Sequence, residues 1–315
     1  MMKYQIHFAP LQGYTDYVYR KVHAEVFGGA DVYYTPFVRC DKEEFRKKDI
    51  KDILPEHNRH MLTVPQLIAA TPEEFRRIAG LFRTYGYQKA NINLGCPFPK
   101  QARLHRGAGI LPYPEEIASL LAPLSEFPEI AFSVKLRTGW NTSEEIRSVL
   151  PILNNYPFTH IAIHPRLGIR QYKGEIDRIA FRYVYENSLH PLIYNGDLCR
   201  HNEVEELLGR FPRLQGVMLG RGLLAYPWLA AEIKKRNQWT GHEKIEKLQI
   251  FHDLLVEKYS VILEGGEAQV LSKLKTVWDY LLPEADKKLR KKVLKSVTLQ
   301  TYVKAVKDLF SSAEV

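Results

Sequence analysis

Apolar and polar positions along the first 220 residues predict a chain that alternates strand and helix. Short apolar, β-branched and aromatic runs fall at 7–10, 32–36, 62–67, 90–94, 132–136, 160–164, 192–195 and 217–219, which makes eight candidate strands. Between most of them apolar residues recur at helical spacing, as over 72–83, 114–121, 143–153 and 202–208. This alternation is expected of an α/β chain folded as a TIM (β/α)8 barrel, with an open doubly wound sheet as the alternative. Thr71-Pro72-Glu73-Glu74 and Thr142-Ser143-Glu144-Glu145 have the form of helix starts, with an oxygen-bearing cap and carboxylates in the first turn. Past Trp239-Thr240-Gly241 the strand pattern stops, and helices are predicted over 242–263, 268–281 and 289–310. The chain therefore divides into a barrel over 1–240 and an all-α segment over 241–315.

Composition narrows the picture. A chain of 315 residues, 45% of them hydrophobic, can bury one large barrel and a small appendage. No apolar run reaches the roughly 18 to 20 residues of a membrane span. Lys3, Gln5 and His7 stand where a signal peptide would be apolar, so a cytoplasmic protein without a membrane partner is expected. Cys40, Cys96 and Cys199 are odd in number and far apart, which leaves neither a disulfide framework nor a paired-cysteine metal site. The formal charge of +9 suits a polyanionic partner, although ordinary basic enzymes share it. Six of the nine residues over 287–295 are basic and none is acidic, which fits a phosphate-contacting surface or a merely solvated helix face. The stretch 41–60 balances six acids against six Lys and Arg residues and reads as an exposed insertion. No pattern calls for an obligate protein partner.

In a barrel the strand ends at the C-terminal mouth carry the chemistry. Asn91-Ile92-Asn93-Leu94-Gly95-Cys96-Pro97 runs off the fourth strand and sets a thiol and an amide there. A cysteine so placed is reactive or simply a small buried hydrophobe. Lys135 and His164 close the fifth and sixth strands, where they would either stabilise negative charge on a ligand such as a reduced flavin or serve as an interior ion pair and a core imidazole. Asn195-Gly196-Asp197 and Gly220-Arg221-Gly222 end the seventh and eighth strands, the usual phosphate position of such barrels. Glycine turns without a ligand are also common.

Taken together, several motifs resemble the tRNA-dihydrouridine synthases. They are Ala9-Pro10-Leu11-Gln12-Gly13-Tyr14-Thr15-Asp16, Gln66-Leu67, Asn93-Leu94-Gly95-Cys96-Pro97, Val134-Lys135-Leu136-Arg137-Thr138-Gly139-Trp140, Tyr172-Lys173-Gly174, Asn195-Gly196-Asp197 and Val217-Met218-Leu219-Gly220-Arg221-Gly222, in that family's order. The resemblance implies a barrel holding FMN, NADPH as reductant, and a helical segment that binds tRNA. It implies flavin contacts from Pro10, Leu11, Gln66, Lys135 and His164, with Asn195, Gly196, Asp197, Gly220 and Arg221 at the ribityl chain and phosphate. Asn93 and Cys96 would face the uracil, and Arg166 would meet flavin or RNA. Lys100, Arg103 and Arg106 after the fourth strand, and Lys291 and Lys292 in the helical segment, would meet RNA phosphates. Thr35-Pro36-Phe37-Val38-Arg39 is similar to the corresponding motif of the bacterial C-type subgroup. Departures from the family pattern are Asn91 where Asp is frequent, Pro165 after the histidine, and Pro99 where a basic residue is usual, with Lys100 one place later.

The chemistry so implied adds hydride to C6 of uracil and a proton to C5, because the C5=C6 bond is conjugated to the C4 carbonyl. An ordinary thiol, with pKa about 8.5, is mostly protonated near neutral pH and suits Cys96 as the acid. Three rivals remain open at this level: an FMN barrel acting on a small pyrimidine or enone, a non-catalytic RNA-binding barrel, and a phosphate-binding isomerase or lyase.

Overall fold

The eight apolar runs become eight parallel staves in the computed structural model, which describes residues 4–41, 44–234 and 239–313. These are β1 Gln5–Phe8, β2 Val32–Tyr34, β3 Thr63–Val64 with Gln66–Leu67, β4 Lys89–Leu94, β5 Ala131–Gly139, β6 Ile161–Leu167, β7 Leu192–Tyr194 and β8 Leu214–Leu219. The third stave is split at Pro65, which has no N–H to give to a ladder. Its first half pairs with Tyr33 and Tyr34 of β2, and its second half with Asn91 and Ile92 of β4. The Pro65 carbonyl still accepts from Asn91 N–H at 2.9 Å, so the cylinder closes through the break. An open sheet is thereby excluded.

The period-two alternation of strands decides what enters the barrel. Along β4, Ala90, Ile92 and Leu94 join the apolar layer beneath the outer helices, while Asn91 and Asn93 engage the polar interior. Along β5, Phe132, Val134 and Leu136 do the former, and Ser133, Lys135 and Arg137 take the other face. A small apolar cluster of Ala9, Val32, Tyr34, Val64, Ala162, Ile193 and Met218 fills the rest of the interior. Its lower part is polar: Tyr34 Oη lies 2.9 Å from His7 Nδ1 and 3.1 Å from His160 Nε2.

The helices Pro72–Thr84, Pro114–Leu121 and His201–Arg210 follow the predicted periodicity. Thr71 caps the first of them by accepting from Glu74 N–H. The start expected at Thr142 moves to Glu145–Asn154, because the Glu145 carboxylate reaches back to accept from the N–H groups of Trp140, Asn141 and Thr142. The helix expected over 289–310 is two helices, Lys287–Lys295 and Leu299–Ser312. Ser296 turns its hydroxyl onto the Lys292 carbonyl, and Thr298 caps the second helix through Thr301 N–H, so the chain is re-aimed between them.

The stretch after β2 is only in part the exposed insertion expected from its charge: Glu44, Lys47, Lys48, Lys51, Glu56 and Arg59 are exposed. Asp49 is buried against Arg46, and Asp52 and Asn58 are buried where Arg20 of the helix Tyr17–Val26 donates to the Asp52 carbonyl and to Asn58 Oδ1, with Asp52 accepting from Tyr17 N–H at 2.7 Å. The same helix faces the C-terminal segment. One apolar cluster runs without interruption from Ile6, Phe8, Val18 and Val22 into Leu248, Phe251, Leu255, Trp278 and Tyr302. Asp16 accepts from Tyr259 Oη at 2.9 Å and pairs with Lys273 at 2.8 Å, which ties the loop after β1 to the helices Gly241–Ile262 and Gly266–Val277. Among the described residues, no helix is long and apolar enough to cross a membrane.

Burial holds His7 down to about 3, His23 to about 4 and His160 to about 4, against an ordinary 6.5. Below pH 6.5 the unfolded chain binds protons that these rings refuse, so stability falls on acidification toward pH 4, by at most about 1.4 kcal/mol per pH unit per ring. Denaturant unfolding at pH 7.0, 5.5 and 4.5 checks this, and a His23→Gln variant should show a shallower dependence by about one proton. An equal slope in that variant would assign the acid sensitivity to other groups.

Candidate active site

The turn that leaves β4 is held from inside the barrel by side-chain amides. Asn93 Oδ1 accepts from both Gly95 N–H at 2.9 Å and Cys96 N–H at 2.8 Å. Its Nδ2 donates to Gln66 Oε1 at 2.7 Å, and Gln66 Nε2 donates to Asn91 Oδ1 at 2.7 Å. Asn91 Nδ2 donates in turn to Ser133 Oγ at 2.8 Å, whose hydroxyl reaches the Ala90 carbonyl. Because the line begins at two backbone donors, the orientation of each amide along it is determined. The carbonyl side of the turn is held as well: Arg137 Nε donates to Gly95 O at 3.0 Å, and Ala108 N–H to Cys96 O at 3.0 Å. Gly107, at φ +64°, packs so closely beneath the turn that a Cβ there would lie 2.7 Å from that of Cys96.

So held, Cys96 lines a cavity of about 370 Å³ at the C-terminal mouth of the barrel. Burial raises its thiol pKa, opposed by the Phe98 N–H and by the cationic Arg137 and Lys135, so the thiol is protonated at neutral pH. Burial together with Arg137 lowers Lys135 to about 7, against a small opposing effect of Cys96. Lys135 has no carboxylate partner among the described residues, which removes the interior ion pair considered for it. Burial, reinforced by Arg137, Lys135 and Arg166, keeps His164 neutral. At the other end Asn195 Nδ2 donates to the Met218 carbonyl at 2.7 Å, and Asp197, at φ +41°, bridges Arg166 and Arg221. A Cβ on Gly222 would overlap the Leu198 carbonyl, so these two loops can meet only at a glycine.

Of the residues singled out from sequence, Pro10, Leu11, Asn93, Cys96, Lys135, His164, Asn195, Gly196, Asp197, Gly220 and Arg221 line this one cavity. Gln66 does not: it is wholly buried behind Asn93 and acts on the turn through it. Arg166 is buried beside the wall, 3.4 Å from His164 Nε2 and bonded to the Gly174 carbonyl. Lys100 and Arg103 are exposed on the loop after β4. Arg106 is a correction, since it is buried and spends its guanidinium on Glu74, Asp41 and the Cys40 carbonyl, leaving nothing for RNA. Lys291 and Lys292 lie apart from the cavity, on a groove with Lys288, Lys295 and Lys304.

Arg137, Tyr172, Asp279 and Tyr280 line the cavity as well, though the sequence reading gave them no role there. Arg137 continues the inward series Ser133, Lys135, and that alternation could have marked it. The Tyr172 ring lies against the guanidiniums of Arg137 at 5.4 Å and Arg221 at 4.7 Å. Asp279 and Tyr280 come from just beyond the helix Gly266–Val277, and Tyr14 Oη donates to Asp279 at 2.9 Å. No local pattern foretells that a helical segment walls the mouth of a barrel.

Comparison with known proteins bears on the family and the fold. The family model described as dihydrouridine synthase (Dus) matches residues 7–314. The tRNA-dihydrouridine synthase B of Pasteurella multocida is 25% identical over 229 residues, covering 72% of this chain and 68% of that protein. The synthase B of Vibrio vulnificus is 23% identical over 265 residues, covering 84% and 79%. A probable tRNA-dihydrouridine synthase of Rickettsia conorii is 26% identical over 262 residues, covering 81% and 77%. Among solved structures, morphinone reductase superposes with a TM-score of 0.51 at 11% identity, over 74% of this chain and 86% of its own, a likeness of fold.

The support beneath the thiol is open to test by alkylation. Iodoacetamide labelling of Cys96, followed by peptide mass spectrometry, should have its pH midpoint above the ordinary thiol value of about 8.5. Gly107→Ala should displace the turn, lower stability by about 1–3 kcal/mol and change the Cys96 labelling rate. Wild-type labelling and stability in that variant would remove the role given to the close contact.

Proposed function

Because the chain belongs to the dihydrouridine synthase family, we propose that it reduces uridines of tRNA to dihydrouridine with FMN and NADPH, and that Cys96 supplies the proton. The observation that carries this is the placement of the Cys96 thiol at the mouth of a cavity that Lys135, His164 and Arg137 also line, where burial raises the thiol pKa. The cavity suits a flavin mononucleotide. Pro10, Leu11 and Met218 offer an apolar wall, Lys135 is an amine without a carboxylate partner, and Asn195, Gly196, Gly220 and Arg221 surround the end where a phosphate belongs. When bound, FMN reduced by NADPH supplies hydride to C6 of the uracil.

The remaining chemistry belongs to the chain. Cys96 delivers its proton to C5 as the double bond is lost, and the resulting thiolate is eased by the Phe98 N–H and the cations Arg137 and Lys135. Solvent at the open mouth restores the proton. Lys135, poised near 7 in the free protein, gains a proton and a full charge beside an anionic ligand. His164 stays neutral and so hydrogen-bonds rather than repels. A uracil can enter this mouth only when turned out of its stack, which favours a loop nucleotide. The basic groove with Lys291 and Lys292 suits the phosphates of the remaining RNA.

Cys96→Ala should keep flavin and NADPH oxidation yet lose dihydrouridine by at least about 100-fold, measured by nucleoside mass spectrometry of tRNA; undiminished product would refute the acid role. Lys291→Glu with Lys292→Glu should weaken tRNA binding and reduce the slope of log affinity against log salt by about two. An unaltered slope would place the RNA elsewhere.

A further inference from the structure

The loop after β4 carries an exposed aromatic ring two residues from the thiol. Phe98 is 61% exposed, and Leu104 in the same loop is 52% exposed. A Phe side chain left largely in water forgoes much of the stabilisation that burial would bring. The loop cannot recover it by folding the ring inward. Phe98 stands between Pro97 and Pro99, which confines its backbone, and it leads directly into the short helix Pro99–Ala102. Beyond that helix, His105 stacks on Tyr113 at 4.1 Å and bonds Glu116 at 2.7 Å, while Arg106 pins the loop to Glu74 and to the Cys40 carbonyl. Gly109 then closes against Ala102 so tightly that a Cβ would overlap its backbone.

The ring is therefore preorganised outside the cavity, and its surroundings are cationic. Lys100 and Arg103 are exposed on the same loop, and residues 97–107 contain no acid. Across the mouth, the loop after β6 adds exposed Ile169, Arg170, Tyr172 and Lys173, with no acid from 168 to 174. The two loops touch, since a Cβ on Gly168 would come within 3.0 Å of Ala108 Cβ. A rigid exposed ring among lysines and arginines is the arrangement that takes an unpaired base by its face and the adjoining phosphates by charge.

We propose that Phe98 is a stacking platform for the RNA base next to the one being reduced, with Lys100 and Arg103 on the phosphates that join the two. This rests on the tRNA reading above and adds a second nucleotide to it. Stacking of one base is worth roughly 1–3 kcal/mol, so loss of the ring should raise KM for tRNA about 5- to 150-fold.

The test compares Phe98→Ala, Phe98→Leu and Phe98→Trp with wild type on unmodified tRNA. It adds the fluorescence of 2-aminopurine placed on either side of the reduced uridine. Expected are a raised KM with Ala and Leu, recovery with Trp, and quenching of 2-aminopurine on one side by wild type and Trp alone. Recovery with Leu as full as with Trp, or a wild-type KM with Ala, overturns the stacking role while leaving the reaction standing. A loop that instead binds a protein predicts the wild-type KM. Wild-type enzyme that leaves tRNA unreduced overturns the functional reading and this inference with it.

Discussion

One carbonyl oxygen, that of the Asn93 side chain, accepts from the N–H groups of Gly95 and Cys96, and the polar interior is arranged to keep it facing them. Were the Asn93 amide reversed, two backbone donors would confront its NH2 group and Gln66 Oε1 would lose its donor. Each buried polar group left unmatched costs about 1–3 kcal/mol, so the line from Ser133 through Asn91 and Gln66 settles into one arrangement. Asn91 suits this position because it accepts from one neighbour and donates to the other. The turn thus derives its rigidity from the middle of the cylinder, where solvent cannot compete.

Charge in the cavity follows from the same enclosure. Burial works against every ionised form, which leaves the thiol protonated, the imidazole neutral and the lysine balanced between states. Arg137 stays cationic even though burial brings it down to about 10. Asp197 counterbalances Arg166 and Arg221, and Asp279 is held by Tyr14 at the rim. An uncommitted positive charge on this wall is a direct invitation to an anionic ligand.

Much of this could be read from the chain because the barrel obeys local periodicities. The eight apolar runs all became staves, and the inward set Asn91, Asn93, Ser133, Lys135 follows from alternation alone. Long-range pairing set the limits. Arg106 sits in a basic loop and reads as a phosphate contact until Glu74 and Asp41, distant in sequence, are found around it. The burial of Asp52 and Asn58 within the charged stretch after β2 has no local sign, because Arg20 reaches them from another helix. The break at Ser296 and Thr298 depends on side-chain bonds to backbone that helical periodicity does not register.

The contribution of Asp279 and Tyr280 to the cavity wall has an evolutionary consequence, given the apolar layer that runs unbroken from the first barrel helix into the C-terminal segment. Neither part can be exchanged as a cassette. A chimera joined at 240/241 would import a foreign lip for the cavity along with the new helices. Changes in the helical segment and changes in the cavity wall are thereby inherited together, and divergence proceeds by paired substitutions on both sides of that seam.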